Sequence, residues 1–444
     1  MPEQISRREF LAITTAVAAA TRVAAAAPQA QAAPPRRRVA ASEKVTLGIV
    51  GLAGRGFGYH MQVFRQFPDA QIGAVCDVFQ ERVDRAVAAT DGKAKGYSDF
   101  RKMMEQKDLD AVILATPPHW HALISIAALQ AGKDVLCEKP MCRYPAEGKL
   151  MADLATKYGA VTQVGTQIHA TPNYHKCVDI VRSGALGPIT TVTNFCTMND
   201  DSEGLGNPPN SAPPPGLDWD FWLGPAPKVP FNIGRFRDGM HRYFKDYVNS
   251  WLHELGPHIV DLPFWAMECG HPKAVAASGG RFATTSMADV PDTLHVLWEF
   301  PTFTMTWNMM QANAFHFGVG APSSGRHNGI IFHGKNATLA IVNYGTPVVL
   351  DKNGQPMEDR EYPVAAPPSP GHEREWLDNI KSRKECSCSF QAHLPMHTAL
   401  NLAHTSLYVG RKLKWDPGKW QVVGDREATE ALRPPYRAPW KLPA

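Results

Sequence analysis

Three residues in this sequence have the types and the spacing needed for acid–base chemistry. Lys139 follows an apolar run that predicts a buried parallel strand, and doubly wound sheets place their sites at the ends of such strands. Glu254 and His258 are four positions apart, so they share one face if the segment is helical. A partly desolvated lysine has a lowered pKa, which suits a general acid or base. We therefore predict Lys139, His258 and Glu254 as catalytic residues.

A glycine-rich turn near the N-terminus predicts a dinucleotide site. Lys44–Val50 has the pattern of a buried strand and is followed by the turn Gly51–Gly56, with the sequence GLAGRG. A second strand, Gln71–Cys76, ends at Asp77, which lies 21 residues after the last glycine of the turn. Such a unit presents backbone N–H groups to a pyrophosphate and a carboxylate to the ribose hydroxyls. Because a carboxylate repels a 2′-phosphate, Asp77 predicts NAD in preference to NADP.

The turn departs from the usual G-x-G-x-x-G pattern at its second glycine, which is Ala53 here. Gly54 is the candidate to supply the close backbone approach instead. A helix is expected over Tyr59–Phe67, after the turn. The cofactor-binding residues predicted in this unit are Gly51, Ala53, Gly54, Arg55, Gly56 and Asp77.

The positioning elements continue as an alternation of strands and helices. Asp110–Thr116 predicts a strand, Ala122–Ala131 a helix and Asp134–Cys137 a further strand. This alternation is typical of a parallel sheet with helices on both faces. The sequence therefore predicts a Rossmann dinucleotide-binding domain over residues 41–167.

Several motifs resemble the glucose–fructose oxidoreductase/inositol dehydrogenase/MocA (Gfo/Idh/MocA) family. They are Thr116–Ala122 (TPPHWHA), Ala131–Val135 (AGKDV), Cys137–Pro140 (CEKP), Val164–Gln167 (VGTQ), Leu217–Pro225 (LDWDFWLGP), Glu254–Asp261 (ELGPHIVD) and Val409–Asp416 (VGRKLKWD). The resemblance covers residues 44–444, and the Glu-Lys-Pro element is its most specific part. It implies that the bond before Pro140 is cis and that the histidine-rich loop lines a nicotinamide pocket.

The resemblance also extends the set of candidate site residues. It adds Thr116, Pro117, His119, Trp120, His121, Glu138 and Lys139 to the cofactor site, and Gln167, Asn173, Tyr174, His241 and His258 to the substrate site. Arg242, Tyr243 and His253 are further candidates to line a sugar pocket. The family usually has Asp where this chain has Glu254. His119 and His121 are two apart without a nearby acidic or cysteine cluster, so we predict no metal.

The second half of the chain predicts a different architecture. Strands are expected at Thr190–Cys196, Thr293–Phe300, Phe303–Met309, Gly329–His333, Thr338–Val342 and Val348–Leu350, and late helices at Glu373–Arg383 and Leu394–Arg411. Short turns between strands predict hairpins and therefore an antiparallel sheet. The fold class is thus α/β plus α+β: a Rossmann domain followed by a C-terminal domain, residues 168–444, with a large open, mainly antiparallel sheet. The resemblance implies homo-oligomer contacts through that sheet. Asn199–Pro230 is expected to be a long loop over the site.

Composition excludes some broad classes. The chain has 444 residues, of which 44% are hydrophobic and 20% charged, as in globular proteins of two or three domains. The formal net charge of +4 comes from the first forty residues, and the remainder is balanced. General nucleic-acid binding is therefore not expected.

Residues 1–40 have the pattern of a twin-arginine export signal and linker. Arg7 and Arg8 precede an Ala-rich apolar stretch, and Ala30–Ala32 has the form of a cleavage site. Arg22 interrupts the stretch, which makes it too short for stable membrane insertion. We expect a periplasmic or extracytoplasmic protein that folds before export. Folding in a reducing compartment predicts that its eight cysteines are mostly buried free thiols. Because free dinucleotide is scarce outside the cytoplasm, we also predict a tightly bound cofactor.

Three functions fit these patterns. The first is a dehydrogenase or reductase acting on a sugar, cyclitol or sugar derivative, in which Lys139 moves the hydroxyl proton. The second is an NAD-dependent glycoside hydrolase that oxidises the sugar transiently, eliminates the aglycone, adds water and reduces the product again. The third is a cofactor-bound binding protein, which the retained Lys139 and His258 argue against.

Overall fold

The computed structural model of this chain describes residues 37–199, 205–313 and 327–443. The predicted export signal, including Arg7 and Arg8, lies outside the described residues. The end of the predicted linker is described: Val39 is buried, and Arg37 lies 3.3 Å from the carboxylate of Asp110. Residues 37–40 therefore pack against the following domain.

A six-stranded parallel sheet forms the first domain, in the order β3-β2-β1-β4-β5-β6. Its strands are β1 (Val45–Val50), β2 (Ala70–Cys76), β3 (Lys95–Tyr97), β4 (Ala111–Leu114), β5 (Asp134–Glu138) and β6 (Thr162–Gly165). Every residue of β1, β4, β5 and β6 is buried, as expected of apolar strands covered on both faces. The predicted Rossmann sheet is confirmed.

The helices of this domain are α1 (Met61–Phe64), α2 (Gln80–Ala89), α3 (Phe100–Met104), α4 (His121–Gln130) and α5 (Pro145–Tyr158). The prediction of one regular helix over Tyr59–Phe67 is wrong. A π-helical turn, Gly56–His60, begins three residues earlier and leads into α1, which ends at Phe64. Pro68 disfavours helical geometry in Phe67, so the turn that follows α1 does not continue as a helix to Phe67.

The second domain contains a sheet of nine described strands in the order β13-β12-β11-β7-β10-β9-β8-β14-β15. The strands are β7 (Ile189–Thr197), β8 (Ala274–Gly280), β9 (Thr293–Glu299), β10 (Thr304–Met310), β11 (His327–Gly334), β12 (Thr338–Val342), β13 (Val348–Leu350), β14 (Leu413–Asp416) and β15 (Gln421–Val422). Among the described pairs, β7 and β10 run parallel and the others antiparallel. The predicted mainly antiparallel sheet is confirmed.

One face of this sheet packs against helices. In β9 and β10, buried residues alternate with more exposed ones, which is the pattern of a sheet covered on one face. The described helices of this part are α6 (Pro172–Arg182), α7 (Trp219–Leu223), α8 (Ile233–Phe236), α9 (Lys245–Val248), α10 (Trp251–Ile259), α11 (Asp261–Met267), α12 (His372–Ser382), α13 (Phe390–Val409) and α14 (Arg426–Glu430). None of the helices in the described ranges is long and apolar enough to cross a membrane.

The segment expected to be a loop from Asn199 to Pro230 is partly helical. Residues 200–204 lie outside the described structure, but α7 forms within the segment and is capped by Asp218, whose carboxylate accepts the N–H of Phe221. Leu217 forms an isolated antiparallel β-bridge with Phe79 of the first domain. The segment therefore lies against the carboxyl end of the parallel sheet, as a covering element does.

Candidate functional site

A cavity of about 370 Å³ opens at the carboxyl ends of β1, β2 and β4, where a doubly wound sheet binds its ligand. Eight of the thirteen predicted cofactor-binding residues line it: Gly51, Ala53, Gly54, Arg55, Asp77, Thr116, Pro117 and Trp120. The other five, Gly56, His119, His121, Glu138 and Lys139, lie beside or behind this lining. The C-terminal domain completes the wall with Trp222, Phe236 and the segment from Arg237 to Arg242.

The glycine turn has a backbone that side chains would block. Gly51 has φ +88°, and a Cβ placed on it would lie 2.7 Å from the backbone of Ala115. A Cβ on Gly56 would lie 1.8 Å from the carbonyl oxygen of Gly51. Ala53 presents its methyl group to the cavity, while the N–H of Gly54 donates to the carboxylate of Asp238 at 3.2 Å. This contact shows that the N–H of Gly54 can donate a hydrogen bond to an anionic oxygen.

Asp77 stands at the end of β2, as predicted, and is buried. Its carboxylate accepts the N–H groups of Leu52 at 2.7 Å and Phe79 at 3.0 Å, so it also shapes the turn. Burial raises the pKa of Asp77, against the opposing effect of Arg82, whose guanidinium lies 3.9 Å away. One carboxylate thus fixes the turn and faces the cavity.

Glu138 holds the turn from behind. Its buried carboxylate accepts from Arg55 Nε at 2.5 Å and lies 2.8 Å from His60 Nε2. Burial opposes its ionisation, but His60 and Arg55 outweigh burial and hold the pKa of Glu138 well below its usual range. Glu138 therefore positions Arg55, which lines the cavity, and does not line it itself.

Lys139 and Glu254 form a buried ion pair across the two domains. Lys139 Nζ lies 2.8 Å from Glu254 Oε1 and donates to the backbone oxygen of Glu254 at 2.9 Å. Burial opposes ionisation of Glu254, but Lys139 and then Arg242, 3.6 Å away, lower its pKa to about 2. The peptide bond between Lys139 and Pro140 is cis, as the resemblance implies.

His258 shares α10 with Glu254, four residues further on, as the spacing predicts. Its Nδ1 lies 2.9 Å from the carbonyl oxygen of Thr166, which can only accept, so Nδ1 carries the hydrogen. Burial and the positive charge of Lys139 lower the pKa of His258 to about 4. A neutral ring with this tautomer has its lone pair on Nε2, which can accept a hydrogen bond from a hydroxyl.

His241 and Arg242 connect this group to the cavity. Both residues line it, and burial lowers the pKa of His241 to about 4 while Glu254 acts in the opposite direction. Arg242 contacts Glu254, which contacts Lys139. The acid–base group therefore adjoins the end of the cavity that His241 and Arg242 form.

The histidine-rich loop supports this wall from behind. The Nε2 atom of His119 and the indole N–H of Trp120 each lie 3.0 Å from the carbonyl oxygen of Trp222. His121 spans the carbonyl oxygens of Pro140 and Thr116, at 2.7 and 2.8 Å. Trp120 lines the cavity, whereas the two histidines fix the loops around it.

The remaining predicted substrate residues have other surroundings. Tyr174 is buried, and its hydroxyl donates to the backbone oxygen of His258 at 3.3 Å. Asn173 donates to the carbonyl oxygen of Tyr344. Gln167, with φ +57°, adjoins Thr166, and His253 is buried against Asn401. The structure brings none of these four residues to the cavity wall, although Tyr174 supports the helix that carries His258.

Sequence reasoning missed a second group of lining residues. Asp238 contacts both Gly54 and Arg82, the latter at 2.9 Å, and Phe236 packs against the Arg82 guanidinium, which lies 4.8 Å from its ring centroid. These residues follow the glycine turn by some 180 positions. No sequence motif connects Phe236 and Asp238 to the glycine turn. The available signal was an acidic and an aromatic residue a few positions before His241, which was itself predicted to line the site.

Comparisons with known proteins match both domains. Residues 45–166 match an oxidoreductase family described as an NAD-binding Rossmann fold, and residues 173–275 with 349–442 match its C-terminal alpha/beta domain. The chain belongs to the Gfo/Idh/MocA oxidoreductase family. The resemblance on which the expectations were based is confirmed at this level.

Curated relatives of this family member align with about a third of the chain. Inositol 2-dehydrogenase 4 of Saccharopolyspora erythraea is 31% identical over 148 residues, covering 33% of this chain and 44% of the relative. Levoglucosan dehydrogenase of Pseudarthrobacter phenanthrenivorans is 38% identical over 171 residues, covering 37% and 42%. Glycosyl hydrolase family 109 protein 1 of a Shewanella species is 29% identical over 159 residues, covering 33% and 34%. The chain thus spans less than half the length of these relatives.

Solved structures share the fold over both domains. An oxidoreductase domain protein from Kribbella flavida superposes with a TM-score of 0.62 at 22% identity, over 84% of this chain and 99% of its own. The WlbA dehydrogenase from Bordetella pertussis, in complex with NADH and UDP-GlcNAcA, superposes with a TM-score of 0.62 at 20% identity over the same shares. At this identity the likeness establishes the two-domain fold.

Proposed function

We propose that this family member is a nicotinamide-dependent oxidoreductase acting at a carbinol carbon of a sugar, cyclitol or sugar derivative. One observation carries the proposal: Lys139 Nζ is held 2.8 Å from Glu254, which in turn contacts Arg242 in the wall of the cavity that the glycine turn lines. Membership of an oxidoreductase family and the inositol and levoglucosan dehydrogenases among its relatives support it.

The residues around the cavity fit a dinucleotide. The N–H of Gly54 in the cavity lining donates to a carboxylate, Asp77 supplies a carboxylate for ribose hydroxyls, and Trp120 supplies an apolar wall. NAD would provide the redox chemistry at the carbinol carbon. The carboxylate of Asp77 supports NAD as the preferred cofactor, with NADP less favoured.

The protein's own part in the reaction is to position the alcohol and to handle its proton. In the direction of reduction, the Lys139 ammonium donates a proton to the carbonyl oxygen. In the direction of oxidation, the Lys139 ammonium first releases a proton to water, and the resulting amine takes the proton of the hydroxyl. His258 Nε2 accepts a hydrogen bond from a second hydroxyl of the substrate, and Glu254 keeps Lys139 in place.

A second candidate is the NAD-dependent glycoside hydrolase, favoured by the glycosyl hydrolase family 109 protein among the relatives. Both reactions begin with oxidation of a sugar hydroxyl, so they need the same proton-handling group. They differ in whether the cofactor changes over a full cycle.

Two measurements on the purified protein separate these functions. Mass spectrometry detects bound NAD(H), and incubation with free sugars, cyclitols and aryl glycosides follows NADH by absorbance and the aglycone by chromatography. Net NADH formation identifies a dehydrogenase, and aglycone release with NAD unchanged identifies a hydrolase. A protein that binds no dinucleotide, or that turns over none of these compounds with added NAD, would contradict the proposal.

We also propose that the protein is exported through the twin-arginine route to the periplasm, with its cofactor tightly bound. Arg7, Arg8 and the apolar stretch behind them support export. Cofactor retention through gel filtration tests tight binding. Loss of the dinucleotide during that step would contradict it.

A homo-oligomer formed through the C-terminal sheet is the remaining proposal. The face away from the helices carries Leu297, which is 37% exposed, together with half-buried polar residues of β10. Light scattering should give a mass of at least two chains, and Leu297→Arg should reduce it. A monomeric wild-type protein at micromolar concentration would exclude this assembly.

A further inference from the structure

A second group of reactive side chains lies behind the catalytic wall. His169 follows β6, Asp261 begins α11, Cys388 precedes α13, and His393 lies in the first turn of α13. One ligand atom from each lies within 4.8 Å of the others. All four residues are buried, with exposed fractions of 7%, 3%, 0% and 2% in that order.

Five polar atoms of the histidines and the aspartate in this cluster lack hydrogen bonds. Within the described structure, both ring nitrogens of His169, both of His393 and Asp261 Oδ2 have no hydrogen-bond partner. Buried polar groups are almost always paired, because an unpaired one loses its hydration without compensation. Five unpaired atoms in one buried cluster indicate a ligand, which would bind one ring nitrogen of each histidine together with Asp261 Oδ2.

The spacing of the atoms fits a tetrahedral metal ion. His169 Nε2 and His393 Nε2 lie 3.5 and 3.4 Å from Asp261 Oδ2. Zinc binds nitrogen and oxygen at about 2.0–2.2 Å and sulfur at about 2.3 Å, which makes the edge of its coordination tetrahedron about 3.3–3.7 Å. The two distances match this edge, and they are long for hydrogen bonds.

We propose that His169, Asp261, Cys388 and His393 bind one transition-metal ion, with Zn²⁺ as the best fit to two imidazoles, a thiolate and a carboxylate. Four protein ligands leave no open position, which is the arrangement of a structural site. The ion would fasten the end of the parallel sheet to α11 and α13. The sequence predicted no metal, since His169 and Asp261 are isolated in the sequence and no motif links them to Cys388 and His393.

The site has a direct connection to the acid–base group. Thr166 accepts from His258 Nδ1 through its carbonyl oxygen and donates through Oγ1 to Cys388 Sγ at 3.5 Å. Asp261 follows His258 by three residues along the chain. Binding of the ion would therefore fix both supports of His258, the carbonyl of Thr166 and the helical segment that carries the ring.

Metal analysis of the full-length protein tests the site. The wild-type protein, purified and reloaded with Zn²⁺, should hold about one ion per chain after gel filtration. Cys388→Ser and His393→Asn should lose it. Cys386→Ser is the matched control, because Cys386 is equally buried two residues away and stands outside the cluster.

Replacement of the ion by Co²⁺ gives a readout on the wild-type protein, so it does not require Cys388→Ser or His393→Asn to fold. The wild-type protein should show the d–d absorption of tetrahedral cobalt and a thiolate-to-cobalt charge-transfer band, and Cys386→Ser should keep both. A wild-type protein that retains neither Zn²⁺ nor Co²⁺, or a cobalt spectrum without the thiolate band, would overturn the proposal. These readouts do not depend on the proposed sugar chemistry.

Discussion

Replacement of Lys139 by Met tests the proposed acid–base role most directly. The substitution keeps the length of the stem up to the ε position and removes the ammonium group. Loss of general acid–base catalysis typically lowers the rate by about 10²–10⁴-fold, so kcat should fall by that factor. The cavity residues that would hold NAD are unchanged, so the cofactor content should remain close to that of the wild-type protein.

The structure also predicts that Lys139→Met lowers the stability of the protein, which the loss of an exposed lysine at the mouth of a cleft would not do. Lys139 is only 15% exposed and is paired with Glu254, whose side chain is 7% exposed. The lowering of the pKa of Glu254 from 4.5 to about 2 corresponds to about 3 kcal/mol, at about 1.4 kcal/mol per pKa unit. This stabilisation is present above pH 4.5 and is lost as pH falls through about 2. Because Arg242 supplies part of this stabilisation, Lys139→Met should lower the free energy of unfolding by about 1–3 kcal/mol at neutral pH.

A matched double variant separates chemistry from folding. Lys139→Met with Glu254→Gln removes both charges, so it should recover stability without recovering activity. Urea unfolding measures the first quantity, and single-turnover reduction of bound NAD by the identified substrate measures the second. The acid–base assignment would be refuted if Lys139→Met kept its cofactor and reacted within a few-fold of the wild-type rate.

Three further predictions concern the cofactor, the pH and the export signal. Asp77→Asn removes the charge that repels a 2′-phosphate while keeping an acceptor for the N–H of Leu52, so the ratio of NADP to NAD affinity should rise; an unchanged ratio by calorimetry would contradict this role. The pKa values of His241 and His258 are near 4 in the folded protein but near 6.5 when unfolded, so each should subtract up to about 3 kcal/mol from the free energy of unfolding as pH falls from 6.5 to 4. Denaturation at several pH values should show this loss, and His258→Asn should reduce its slope. Replacement of Arg7 and Arg8 by Lys should leave the precursor in the cytoplasm, as measured by immunoblotting of cell fractions. Normal export of the double variant would rule out the twin-arginine route.

Local patterns were sufficient for the main elements of the fold. Apolar runs predicted the parallel strands, and alternation with short turns predicted the antiparallel sheet, because side-chain burial in a strand follows directly from its residue pattern. The helix after the glycine turn was misplaced. Its geometry depends on how closely Gly56 approaches Gly51, which is a packing contact and not a propensity.

Within the site, the sequence by itself determined the glycine turn, the acid at Asp77 and the shared helical face of Glu254 and His258, because each depends on spacing within one or two neighbouring elements. Only the tertiary structure decided that Lys139 pairs with Glu254 and that Asp238 reaches the turn. It also decided that a buried cluster of four metal-type ligands forms from segments up to about 220 residues apart. Such contacts arise when two domains pack together, and the residues that make them carry no mark of their partners in the local sequence.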